Sequence, residues 1–249
     1  MADKIVAVLG DEILDSRGYP TMRVEVRLES GIVAYASVPA GASTGGGEAH
    51  ELRDGDPQRY GGRGVLKAVA NLSEVSRVLR GQNPARQADI DRRLIEADGT
   101  DTKSRLGANA IVGTSMAVAR AAAKAAGKPL YAYLASDSTY RLPVPMMNVI
   151  NGGRHAANSL DFQEFMIVPH GAPSFREALR WGAETYHALR ALLAEKKLSI
   201  GVGDEGGFAP DLAGNDEACA LIVEAIQRAG FAPGEQVALA LDPAASSFS

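Results

Sequence analysis

The chain has one cysteine, Cys219, in 249 residues. A single thiol excludes an internal disulfide and fits a reducing compartment. Cys219 sits in an Ala/Leu/Ile-rich helical pattern, so packing is its expected role rather than reactivity. An excess of charge is missing too. The formal net charge of −4 gives no electrostatic reason to expect nucleic acid or an anionic membrane as a partner. No apolar run approaches the ~20 residues of a membrane span. The opening Met1-Ala-Asp-Lys-Ile5 lacks the basic flank and apolar stretch of a secretory signal. The cytoplasm is the expected location. There is no convincing internal repeat, and the Gly45-Gly-Gly47 run is too brief to count as low complexity.

What is present is the composition of an ordinary globular protein, 46% hydrophobic and 22% charged, with enough apolar material for a sizeable core. The length suits one large domain or two smaller ones. Thr21, Arg23, Glu25 and Arg27 alternate with Met22, Val24, Val26 and Leu28, the period of a half-exposed strand. Ile5 to Leu9 and Ile32 to Val38 read as its sheet neighbours. Helical spacing follows from Gly64 to Arg80, from about Asp89 to Ala97, and from about Asn109 to Ala126, where Gly127-Lys-Pro129 stops it. Strands first and helices afterwards predict an α+β domain over residues 1–136. The polar stretch Ser136-Asp-Ser-Thr139 is the expected boundary.

From 137 to 249 the pattern changes. Val144 to Ile150 and Phe162 to Val168 are short apolar runs whose non-helical linker is too short for a parallel crossover. They are therefore expected to be antiparallel neighbours. A helix is predicted from Ser174 to Glu195, with Ser174 as cap and Glu177 three residues on. Another runs from about Asp216 to Ala229, and a strand from Val237 to Leu241 ends at Asp242. Strand–helix alternation of this kind predicts a β/α barrel.

Four stretches carry possible chemistry. Gly41-Ala-Ser-Thr-Gly-Gly-Gly47 can close over a ligand, and the hydroxyls of Ser43 and Thr44 can meet a metal or phosphate. It is no P-loop, because the Gly-Lys-Ser/Thr ending is absent. Asn151-Gly-Gly-Arg-His155 and Asp161-Phe-Gln-Glu-Phe165 bring an imidazole and a carboxylate from a loop and the strand after it. Glu164 stands in an apolar run, and a buried acid needs a metal, a substrate or a lysine beside it. Val202-Gly-Asp-Glu-Gly-Gly-Phe-Ala-Pro210 sets Asp204 and Glu205 between glycines that let the backbone turn sharply. Asp242 closes an apolar strand at the carboxyl end, where barrel enzymes keep their active sites, and carboxylates suit magnesium. Each has a plain alternative: a flexible turn, a structural histidine, a solvated acidic turn and a helix cap.

Together these stretches resemble the enolase family. P-A-G-A-S-T-G, E-A-H-E-L-R-D-G-D, N-G-G-R-H-A, D-F-Q-E-F-M-I, V-G-D-E-G-G-F-A-P, A-L-D-P-A-A-S and the opening I-L-D-S-R-G-Y-P-T stand in that family's order and spacing. The resemblance implies an α+β capping domain before an α/β barrel whose second strand is antiparallel. It implies magnesium-dependent, reversible dehydration of 2-phosphoglycerate to phosphoenolpyruvate, and a homodimer through the capping domain. Glu205 resembles the proton donor. Glu164 and Gln163 match substrate and acid-network positions, and His155 matches the mobile-loop histidine. Asp242 resembles the first ligand of the tight magnesium, and Ser43 the loop serine that reaches a second. Departures are Gly46-Gly47 in the loop, Arg154 for a small residue, and Ser247 and Ser249 for glutamate and tyrosine.

An eight-stranded barrel takes about 250 residues, and about 110 follow the boundary. The barrel is therefore expected to be incomplete in this chain. No residue matches the family's lysine base or its other magnesium carboxylates, so the 249-residue chain alone is expected not to turn over. Three readings stay open: the N-terminal portion of such an enzyme, a short homologue without lyase activity, and a non-catalytic binding or dimerisation module.

Overall fold

The computed structural model describes residues 3–41, 45–135 and 139–247. Contacts divide the chain into two units: Met1–Gly41 with Gly47–Tyr140, and Ala42–Gly46 with Arg141–Ser249. Most of the expected boundary, residues 136–138, and the hydroxyls of Ser43 and Thr44 lie outside the described residues.

The first unit opens with an antiparallel meander, β1 (Ile5–Leu14), β2 (Pro20–Leu28) and β3 (Val33–Ser37). Period two decides its faces. Met22, Val24, Val26 and Leu28 are buried, while Arg23 and Arg27 are exposed. Strand β1 runs five residues beyond the expected Leu9. The acids Asp11-Glu12 do not end the strand because both have partners: Asp11 pairs with Arg23 at 3.1 Å, and Glu12 takes Arg59 and the Val65 amide. Helices α1 (Leu66–Leu79) and α3 (Ala108–Ala125) cover the sheet's inner face, and α2 (Gln87–Asp98) packs against both of them. The alanine-rich α3 packs close: a Cβ at Gly113 would stand 2.6 Å from the Val24 side chain. Its end coincides with Gly127 at φ 64°, a left-handed stop. A short helix, α4 (Leu130–Leu134), follows Pro129; five residues are too few to show a period.

The second unit is an open three-stranded sheet. Strand β4 (Met147–Asn151) pairs antiparallel with β5 (Glu164–Val168), which pairs antiparallel with β6 (Ala238–Asp242). No closed barrel forms among the described residues. Helices α5 (Phe175–Glu195) and α6 (Asn215–Arg228) pack with this sheet around Phe165, Ile167, Leu189, Leu193, Ile222 and Ile226. Ser174 caps α5 by accepting the Glu177 amide at 3.3 Å. The ring of Trp181 stacks on Phe231 at 4.9 Å. No helix among the described residues is long and apolar enough to cross a membrane.

Candidate active site

The chain reverses between β4 and β5 through Gly152 and Gly153. The Gly152 amide donates to Gln163 O at 3.0 Å and the Gly153 amide to Leu160 O at 2.8 Å. A 3-10 turn, Gly153–His155, carries the His155 ring inward, where it is buried. Strand register then lines up Asn151, Glu164 and Asp242 side by side across β4, β5 and β6. The Gln163 amide donates to Asp242 O at 3.1 Å.

The acidic turn is laid onto this layer. The Gly203 amide closes it onto Gly207 O at 2.8 Å, and Gly206 takes φ 84°. Phe208 pairs with β4 on both sides of its peptide, to Val149 O at 2.9 Å and from the Asn151 amide at 2.8 Å. The glycines are needed for this approach. A Cβ on Gly203 would lie 2.7 Å from His155 O, and one on Gly207 would lie 3.0 Å from the Ile150 nitrogen. From α5, the Tyr186 hydroxyl donates to Gly206 O at 3.0 Å, and its ring stacks on Phe208 at 4.4 Å.

These constraints bring His155, Glu164 and Glu205 together. His155 Nδ1 lies 3.6 Å from Glu205 Oε2 and 3.8 Å from Glu164 Oε1. One potential ligand atom from each of the three lies within 4.8 Å of the others. Burial, then a hydrogen bond with Glu205, then the charges of Glu205 and Asp242 push the Glu164 carboxyl up to about 7. Ionised carboxylates only accept hydrogen bonds. The bond between the two glutamates therefore requires a proton, and the more buried Glu164 retains it. Glu205, with 37% of its side chain exposed against 17% for Glu164, is the member of the pair that reaches outward.

Asp242 stands beside Glu164 in register but is exposed, and its Oδ1 accepts the Ala244 amide at 2.9 Å. This bond is an Asx-type turn onto the residue before the 3-10 turn Ala245–Ser247, not a helix cap, and no hydrogen bond to Oδ2 is seen among the described residues. Ser43 is not placed. The buried side-chain amides of Asn148 and Asn151 make no hydrogen bond among the described residues, and buried amides ordinarily have partners. The sequence marks Asn151 only as the first residue of the Asn151-Gly-Gly-Arg-His155 stretch and does not mark Asn148 or Tyr186. An asparagine inside the apolar run Val144 to Ile150 was the available signal for Asn148. A cleft of about 580 Å³, lined by Gly153, Arg154, Leu160, Asp161, Phe162 and Ser247, adjoins the cluster without including its acids.

An α+β unit precedes a sheet whose strand and loop ends hold a histidine and two coupled acids. Such a grouping at strand ends is of the kind that acid–base enzymes of the α/β class carry. The comparisons specify it further. Residues 5–134 match the enolase N-terminal domain, and residues 139–249 match the enolase C-terminal TIM barrel domain. Enolase 1 of Methylococcus capsulatus is 61% identical over all 249 residues. The chain spans 59% of that relative's length. The chain belongs to the enolase family, a family of lyases.

Proposed function

We propose that this chain carries the acid–base half of a magnesium-dependent site that reversibly dehydrates 2-phosphoglycerate to phosphoenolpyruvate. The observation that carries the reading is the Glu164 carboxyl, raised to about 7 beside Glu205 and His155. An acid that holds its proton near neutrality is what a poor leaving group such as hydroxide needs. Glu205, the more exposed partner, takes over the proton held by Glu164 and passes it to the departing hydroxide. Glu164 supplies that proton from behind, Gln163 orients the pair by hydrogen bonding, and His155 closes the group from its loop. Family membership further supports a cytoplasmic location and a homodimer made through the first unit.

The donors fit a hard divalent cation. Among the described residues, one Asp242 carboxylate oxygen and the buried amides of Asn148 and Asn151 in the same sheet make no hydrogen bond. Imidazole suits zinc or copper better than magnesium. The His155–Glu164–Glu205 group is therefore assigned to acid–base work, and Asp242, with Ser43 for a second ion, to the metal. When bound, magnesium supplies positive charge against the substrate carboxylate. Proton abstraction from C2 is assigned to none of these residues.

The test is a chimera joining this chain to the remaining C-terminal portion of the Methylococcus relative. Folded and loaded with magnesium, it should form phosphoenolpyruvate from 2-phosphoglycerate. A folded, loaded chimera without product would refute the assignment.

A further inference from the structure

Arg154 follows Gly153 and precedes His155, and it faces the cleft of about 580 Å³ beside the acid cluster. Its side chain is exposed and has no ion-pair partner among the described residues. The backbone beneath it is held firmly. The Gly153 amide is tied to Leu160 O, and the His155 amide donates to Gly152 O at 3.0 Å. The Asn158 amide group donates to Asn151 O at 2.9 Å and to Pro210 O at 3.0 Å. The guanidinium therefore swings from a fixed point. The other cleft residues include apolar Leu160 and Phe162, and Ser247, whose hydroxyl is already given to Ala244 O at 2.7 Å.

The electrostatic surroundings are one-sided. Asp161, Asp204, Glu205 and Asp242 are all exposed acids of this region, and among the described residues Arg154 is the one cation lining the cleft. An anionic ligand approaching such a rim is repelled unless a counter-charge receives it. An arginine presents a planar fork of donors matched to phosphate and carboxylate oxygens.

We propose that Arg154 is an anion-recognition residue. It receives the phosphoryl or carboxylate group of a small phosphorylated acid at the mouth of the cleft and directs it toward His155 and Glu205. The proposal rests on the dehydratase reading for the ligand's identity. The anion site itself is tested without turnover.

The experiment is calorimetric titration of the 249-residue chain with inorganic phosphate at low ionic strength, after chelation of metals. Acetate is a second arm that probes the carboxylate end. One saturable site is expected for at least one of the two anions. Arg154→Gln should weaken it about tenfold, the value of a lost charge-assisted hydrogen bond, and Arg154→Lys should keep part of the affinity. Arg190→Gln, at an exposed arginine on α5, should leave it unchanged. Tryptophan fluorescence from Trp181 checks that each variant keeps its fold. Whichever anion shows the Arg154-dependent site identifies the end of the ligand received there. Absence of a saturable site for both anions, or equal affinity in Arg154→Gln and wild type, overturns the proposal. A chimera that makes no phosphoenolpyruvate while the Arg154-dependent site persists would remove the reaction and leave the anion site standing.

Discussion

Replacing Glu164 by glutamine tests the electrostatics of the candidate site directly. The Glu164 carboxyl ordinarily titrates at 4.5 and is raised to about 7 in the folded chain, chiefly by burial and then by Glu205. Between those values the native state holds a proton that the unfolded state has released. Stability therefore falls as pH rises through this window, because the native state binds more protons there. The contribution is fully present below 4.5 and lost above about 7. A shift of this size corresponds to about 3 kcal/mol. Glutamine keeps the shape, donates a hydrogen bond to Glu205 as the protonated acid does, and cannot titrate. The variant should thus gain about 3 kcal/mol relative to wild type between about pH 4.5 and about pH 8. The assay is urea unfolding at both pH values, followed through Trp181, the chain's sole tryptophan, which lies in the second unit. A wild-type-to-variant difference that does not change with pH would mean that Glu164 ionises as an ordinary surface acid. The account of the coupled pair would then be wrong.

Tyr186→Phe should remove the hydrogen bond to Gly206 O while keeping the ring stack on Phe208; at about 1 kcal/mol, amide exchange over residues 203–207 should quicken several-fold, and unchanged protection would show that the hydroxyl does not hold the turn. Gly207→Ala places a Cβ against Ile150 N and the Asn148 amide, so it should destabilise the second unit by about 1–3 kcal/mol in urea unfolding; a neutral effect would argue against the close approach. The 249-residue chain alone should form no phosphoenolpyruvate, because no residue in it matches the family's lysine base; turnover by protein free of host enzyme would reverse that expectation.

The longer helices were legible because each shows one face at helical spacing and carries its own punctuation. Ser174 and Glu177 announced the start of α5, and Gly127-Lys-Pro129 the end of α3. The length of β1 was not legible. Asp11 and Glu12 look like the end of a strand until Arg23 and Arg59, distant in sequence, neutralise them. At the site, motif order pointed to His155, Glu164 and Glu205, and the fold sets them within one small volume. Asn148 and Tyr186 escaped notice, and Asn151 stood out only as the start of its motif, because their part depends on how the acidic turn lies against β4 and α5. That placement arises from glycines whose value shows only when the neighbouring backbone is in view. The proton shared by Glu164 and Glu205 is likewise a property of their separation in space and not of either motif.

The central claim is that Glu205 delivers the proton to the departing hydroxide. It is tested most directly by Glu205→Gln in the magnesium-loaded chimera, with phosphoenolpyruvate formation as the readout and urea unfolding as the check on folding. Glutamine preserves the side chain's shape but has no acidic proton to give. The account predicts a fall in turnover of about 10²–10⁴-fold, the usual contribution of a positioned acid, with the unfolding transition retained. A folded variant that turns over as fast as the parent would contradict it and leave Glu205 as a residue of the turn alone.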